Sequence, residues 1–344
     1  MSEQLITMLQ RGVATLTYSA WPIDSSSDGR IMAPIPRRRA ASTDRLRGRP
    51  GTASATVRCR YSPHVPGEWF AWEWDETLYA GTAAYYDRGR LPNAPGLAEA
   101  FEKALGLDGR GRLLDVGCGP GTVTLPLSDL FQDVVGLDAD AGMIREARRL
   151  ASERGVVNAH WVHRRAEDLP VALGAFRVVT FAASFHWMDR PLVAGIVREM
   201  LEPNGVVVHV DNHHQDSLTL DDDLPAPPIA RIDDLRRAYL GEGRRAGQGI
   251  RNSSPGDEAA VFRAAGFAGP EVVVVPDGRT SVRSSDDLVA ETFSMSSTAP
   301  HLFGNRLSEF EADVRRVLAE ASPDGTFSLR LPDNELKIWR VARS

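Results

Sequence analysis

Cysteine is nearly missing from this chain: of 344 residues, only Cys59 and Cys118 are cysteines. Two thiols allow one bridge at most, which excludes a disulfide framework and a cysteine zinc site and fits a reducing compartment. Long apolar runs are missing too. The longest, around residues 171–188, is broken by Arg177 and stops at Asp189, short of the ~18 uninterrupted residues a membrane span needs. No apolar block near the N-terminus reads as a secretory leader. Lysine is scarce beside arginine along the whole chain, so an arginine-rich stretch reflects a general bias before it signals a partner. What is left is a globular composition, 42% hydrophobic and 25% charged with a formal charge of −6, which predicts a cytoplasmic protein with one core and some decoration.

The chain divides unevenly. Residues 1–66 are rich in Arg, Ser and Pro, with Pro34–Arg39 and Arg45–Gly51 as the densest stretches, and little apolar periodicity beyond Leu5, Met8, Leu9 and Val13; disorder is the expectation there. Such arginines fit either a solvated tail or a nucleic-acid anchor. Residues 1–66 carry ten arginines and four acidic residues, leaving residues 67–344 at −12, a poor charge for gripping phosphates, so a nucleic-acid partner is not expected of the domain. The aromatic cluster Trp69–Trp74 is a second place where the native chain could start. The Leu5–Val13 stretch fits a swapping arm or a frayed end, which keeps a homo-oligomer open.

From Leu113 the sequence runs Leu-Leu-Asp-Val-Gly-Cys-Gly-Pro-Gly-Thr: an apolar strand entering three alternate glycines and then a helical pattern. Glycines 117, 119 and 121 let backbone turn sharply and approach a ligand, and the following helix offers N–H groups. About twenty residues on, Val134–Asp138 reads as a second strand ending in a carboxylate, placed to accept both hydroxyls of a ribose. A dinucleotide fingerprint would want glycine where Thr122 stands, which weakens a nicotinamide reading. The pattern D-x-G-x-G-x-G from Asp115 resembles motif I of the class I S-adenosyl-L-methionine (SAM)-dependent methyltransferases. Within them the chain is similar to small-molecule enzymes of the actinobacterial methyltransferase-11 and trans-aconitate methyltransferase-like group.

The resemblance runs from about Tyr79 to the C-terminus. It implies a Rossmann-like, doubly wound α/β sheet of seven strands with an antiparallel last strand. A helical lid between strands five and six, residues 212–265, would choose the acceptor. Residues 67–344 are then one methyltransferase domain. Arg165–Pro170 matches the loop after strand three, with Ala166 and Glu167 toward the adenine because Arg165 stands where many relatives have Asp. Phe176–Phe181 is strand four, delivering Ser184–Asp189 to the ligand edge. Leu201–Val210 is the turn and strand five, Glu271–Val275 strand six and Leu336–Val341 the last strand. An amphipathic helix is predicted over 97–106, with others near 230–240, 285–297 and 306–321.

On the cofactor the resemblance implies Tyr79, Tyr86 and Arg90 over the methionine end, through cation–π attraction and a carboxylate pair. It adds Asp115, Gly117, Cys118, Gly119, Gly121, Asp138, Ala139, Met143, Ala166, Glu167, Ala183 and His186. Asp115 also fits a scaffolding carboxylate, and Cys118 a small filler. His186 reads either as the general base or as a wall of the pocket, with His213 and His214 in reserve. Ser294–His301 reads as a pocket border or a plain helix-ending loop. No metal is expected. Three functions follow: methyl transfer to a small organic acceptor with S-adenosyl-L-homocysteine as by-product; RNA or protein methylation anchored by the arginine tail; or SAM binding without catalysis.

Overall fold

The computed structural model describes residues 75–169, 172–213, 224–250 and 258–343. The tail at 1–66, the aromatic cluster at 69–74 and His214 lie outside the described residues.

Seven strands form the main sheet: β1 Arg112–Val116, β2 Asp133–Asp138, β3 Ala159–His163, β4 Phe176–Ala182, β5 Leu201–His213, β6 Phe267–Val275 and β7 Asp333–Val341. Their spatial order is β3-β2-β1-β4-β5-β7-β6. Strands β1 to β5 are mutually parallel, and β7 runs antiparallel to both of its neighbours, β5 and β6. These strands read as continuous apolar runs because both faces of the sheet are covered. In β1, Leu114 and Val116 enter one core and Leu113 the other, all three fully buried.

Among the described residues eight α-helices of seven residues or more flank or extend the sheet: α1 Ala83–Gly89, α2 Leu97–Leu105, α3 Ala141–Glu153, α4 Arg190–Glu199, α5 Ile229–Leu240, α6 Glu258–Ala264, α7 Ser285–Phe293 and α8 Leu307–Ala321. The predicted 97–106 helix buries Leu97 and Phe101 and ends at Gly106 in the left-handed conformation, the usual way to satisfy a helix end. Asp140 caps α3 by accepting from Met143 N at 2.9 Å, and Asp189 caps α4 by accepting from Leu192 N at 3.2 Å. Helix α2 packs with one core, while α4 and α6 pack with the other, giving the doubly wound arrangement.

Beyond strand five the outlines shift. Strand six begins at Phe267 rather than Glu271, and the helix expected over 285–297 stops at Phe293, followed by 3₁₀ turns at Ser296–Thr298 and Pro300–Arg306. A two-stranded ladder of Thr280–Ser284 with Thr326–Arg330 was not foreseen. Within the expected lid, α5 joins a separate helical core: Ile232, Leu235 and Tyr239 pack with Phe293, Phe303 and Phe310, and the Tyr239 and Phe310 rings lie 5.1 Å apart. The last strand, β7, is driven between its neighbours with Trp339 buried and stacked on Phe262 at 5.2 Å. Among the described residues no helix is long and apolar enough to cross a membrane.

Candidate cofactor site

The glycine loop is shaped by contacts that only glycine permits. Gly117 has φ +71°, and a Cβ there would fall 2.5 Å from Ser184 Cβ. With that atom absent, Gly117 N and Cys118 N both donate to Leu137 O, at 2.7 and 3.0 Å. The loop is thereby folded back onto the end of β2. Gly119 N then donates to Asp138 Oδ2 at 2.8 Å, while Asp138 Oδ1 accepts from Asp140 N at 2.8 Å. Burial pushes the Asp138 carboxyl up to about 6, against the pull of those two amide hydrogen bonds. A carboxylate shielded from water but facing a loop of bare backbone is a receptor for neutral hydroxyl donors.

These residues edge an open cleft at the C-terminal ends of β1, β2 and β4, where open α/β sheets bind ligands. Of the sequence-predicted residues, Tyr79, Tyr86, Gly117, Gly119, Asp138, Ala139, Met143, Ala166, Glu167 and Ala183 all line it. A Cβ on Gly119 would stand 4.0 Å from the Tyr86 ring, so the space a side chain would take belongs to the cleft. Tyr79 is edge-on to Trp187 with ring centroids 6.2 Å apart, and burial, then the neighbouring Tyr86, drives its hydroxyl up to about 12. Glu167 is held in place by accepting from Asp189 N at 2.9 Å. Ala183 has φ +48°, an unusual conformation for a residue with a Cβ, at the tip of β4.

Five predicted residues stand elsewhere. Asp115 is fully buried and accepts from Thr124 Oγ1 at 2.6 Å and Thr180 Oγ1 at 2.8 Å; it is a scaffold that ties the turn after the glycine loop to β4, and burial raises its carboxyl. Cys118 is a buried free thiol whose sulfur lies beneath the loop, 3.0 Å from where a Gly136 Cβ would be. A Cβ on Gly121 would meet Trp161 at 2.7 Å; this glycine serves close packing and lines a second, adjoining and open cavity. Arg90 lines that second cavity also, stacked over Tyr86 at 4.9 Å and donating through Nη2 to Ser294 O at 3.0 Å.

His186 lines neither space. The segment Phe185–Trp187 is a single 3₁₀ turn, whose three residues per turn send successive side chains in three directions. Phe185 enters the core at 2% exposed, and Trp187 takes the cleft. His186 is on the side of Glu258: burial pushes that carboxyl up, but its hydrogen bond to His209, together with the charges of His209, His186 and Arg190, brings it below its ordinary value. Sequence reasoning named the segment and missed Trp187, along with Met188, Ser184, Leu137 and Arg164. The segment Ser294–His301 spans both ends of α1 and lines neither space: Ser294 O accepts from Arg90 past the end of the helix, and His301 Nδ1 lies 3.1 Å from Ala80 O before its start.

Replacing Asp115 with alanine is expected to destabilise the fold by about 2–4 kcal/mol, because two charge-assisted hydrogen bonds go and two buried hydroxyls lose their acceptor. Chemical denaturation measures it; an unchanged midpoint would return Asp115 to the ligand site.

The sheet order and the glycine-and-carboxylate cradle define a Rossmann-like nucleoside-binding domain. Residues 113–205 match the family model described as "Methyltransferase domain". The chain is 31% identical over 112 residues to the uncharacterized methyltransferase YcgJ of Bacillus subtilis, covering 32% of this chain and 44% of that one. It is 38% identical over 98 residues to the ubiquinone biosynthesis O-methyltransferase of Cereibacter sphaeroides, covering 28% and 39%. The chain thus spans less than half the length of these curated relatives. The crystal structure of YcgJ aligns with 72% of this chain and 98% of its own at 19% identity and a TM-score of 0.42. The central region is a class I SAM-dependent methyltransferase domain, and domains of this family use SAM as methyl donor.

Proposed function

We propose that the protein transfers a methyl group from SAM to a small organic acceptor by in-line displacement, releasing S-adenosyl-L-homocysteine. The observation that carries this reading is the half-buried Asp138 carboxylate, hydrogen-bonded to Gly119 N at the edge of an open cleft. When bound, SAM supplies a sulfonium-activated methyl group. In this reading Asp138 accepts the ribose hydroxyls, and Ala139, Met143, Ala166 and Glu167 border the adenine. Tyr79, Tyr86 and Trp187 present ring faces and edges to the sulfonium. Arg90 reaches the methionine carboxylate from the adjoining cavity, using the Nε that is buried there without a hydrogen-bond partner among the described residues. Ala183 and the adjoining cavity give the acceptor an approach beside the cleft. Holding nucleophile and methyl carbon in line is worth roughly 7–11 kcal/mol without any proton transfer.

A small acceptor is supported by a relative named for ubiquinone biosynthesis. It is supported too by the charge of −12 on residues 67–344, which disfavours a polyanionic substrate. The scarcity of cysteine goes with a cytoplasmic location. Incubating the full chain with methyl-labelled SAM and an extract of its own organism is expected to give a small metabolite heavier by one methylene. Label confined to RNA or protein, or no labelled product, would sink the proposal.

The wall assignment has its own test. Trp187→Ala is expected to weaken SAM binding about tenfold through lost ring contact, whereas His186→Ala changes it less than about threefold, roughly the effect of a surface substitution. Calorimetric titration of both variants decides; the reverse ranking would move the imidazole into the site.

A further inference from the structure

The cavity adjoining the cleft holds a charge cluster, one residue of it buried and two half-buried, that the methyl-transfer reading leaves partly unused. Arg90, Arg283 and Glu291 all line it, and it meets the cleft at Tyr86, Ala182 and Ala183. Each of the three has a buried polar atom with no hydrogen-bond partner among the described residues: Arg90 Nε, Arg283 Nε and Glu291 Oε2. Burial pushes the Glu291 carboxyl up, with Arg283 and then Arg90 pulling it down. The opposite charges feel one another, yet no ion pair joins Glu291 to either arginine among the described residues.

The backbone keeps them apart. Arg283 is 94% buried and its Nη2 is spent on the carbonyls of Arg88, Gly89 and Asp287, at 3.1, 2.9 and 3.2 Å, closing the end of α1. Arg90 is drawn to Ser294 O and laid over Tyr86. Glu291 rides on α7, whose backbone meets α1 at Gly89 so closely that a Cβ there would fall 2.6 Å from Glu291 N. Leaving a carboxylate and a guanidinium buried, near each other and unjoined is costly. A ligand end bearing one positive and one negative group would satisfy both. The amino-acid end of SAM is such a zwitterion, and it would extend past Tyr86 from a nucleoside seated at Asp138.

We propose that Glu291 receives the α-ammonium of the SAM methionine while Arg90 receives its carboxylate, with Arg283 holding α1 and α7 in the spacing that keeps the two apart. This rests on the cofactor reading above and adds a residue to it that lies two hundred positions from Arg90 in sequence. A bridging water could satisfy the same atoms, and it predicts no dependence on the ligand's ammonium.

Calorimetry with the full chain tests this without any acceptor. 5′-Methylthioadenosine keeps the nucleoside and lacks the amino-acid end. Wild-type protein is expected to bind S-adenosyl-L-homocysteine at least about tenfold more tightly than 5′-methylthioadenosine. Glu291→Gln is expected to cut that preference about tenfold, the size of one charge-assisted contact, and to leave 5′-methylthioadenosine affinity within about twofold. Removing the ammonium from the ligand asks the same question with no risk to folding: wild type should bind the deamino analogue of S-adenosyl-L-homocysteine about tenfold more weakly than the parent, and Glu291→Gln should bind the two alike. Equal affinity of wild type for parent and deamino analogue overturns the assignment, as does an unchanged preference in Glu291→Gln. If neither nucleoside ligand binds at all, the cofactor reading has failed and this inference falls with it.

Discussion

Asp138→Ala is expected to raise the dissociation constant for SAM by at least about 100-fold, roughly 3 kcal/mol, the worth of two hydrogen bonds from ribose hydroxyls to an ionised acceptor. The same side chain accepts from Gly119 N and Asp140 N, so its loss also slackens the loop; Asp138→Asn, which keeps one carbonyl acceptor, should fall between. Protonation offers a gentler version. The carboxyl sits up at about 6 because it is buried, and only its ionised form accepts both hydroxyls. Affinity should therefore be full near pH 7.5 and decline toward tenfold per pH unit below about 6. The fold responds with the opposite sign: a carboxyl raised above its unfolded value of 3.8 is disfavoured in its charged form, so this group adds stability as pH falls from about 6 toward 4. Calorimetric titrations at pH 5.0 and 7.5 beside melting curves at both separate the two. Affinity that is flat over this range, with Asp138→Ala binding as wild type does, would remove Asp138 from the site.

Gly89→Ala carries the second large effect, and its sign decides between two forces. Alanine in place of glycine favours a helix by roughly 1 kcal/mol. At Gly89, however, a new Cβ would lie 2.4 Å from Ala290 O and 2.5 Å from Ala290 C, backbone atoms that cannot rotate aside. Separating α1 from α7 should cost more than the propensity returns, a net loss of about 2 kcal/mol and a fall in melting temperature of roughly 4–8 °C. Because α1 carries Tyr86 and leads into Arg90, SAM affinity should drop with it. A variant that melts higher than wild type would mean the two helices are less closely joined than their contact implies.

Much of the cradle was readable in the sequence because it is local. Strand, glycines, next strand and carboxylate follow one another within 26 residues from Leu113 to Asp138, and a parallel neighbour fixes their spacing. Asp115 was ambiguous because one of its two partners, Thr180, is 65 residues away on β4. A motif cannot tell a carboxylate that faces ligand from one that faces two hydroxyls across the sheet. His186 misled for a different reason: its type suits proton transfer, but a 3₁₀ turn decides which of three consecutive side chains faces the cleft, and nothing in Phe-His-Trp announces that choice. Nothing in the sequence points to Glu291, since only the crossing of α1 and α7 puts it on the same cavity as Arg90. The helical core around Phe303 and Phe310 escaped for the same reason, its aromatic residues being spread over six separate elements.

The placement of β7 between β5 and β6 bears on how this protein is made. Synthesis delivers β6 well before the strand that must separate it from β5, so until Val341 has cleared the ribosome two strand edges remain open. Trp339 then closes a gap bounded by residues synthesised long before it. The slot between β5 and β6 is therefore filled only once β7 has been made, whereas the nucleoside cradle is assembled from β1 and β2, which are made much earlier.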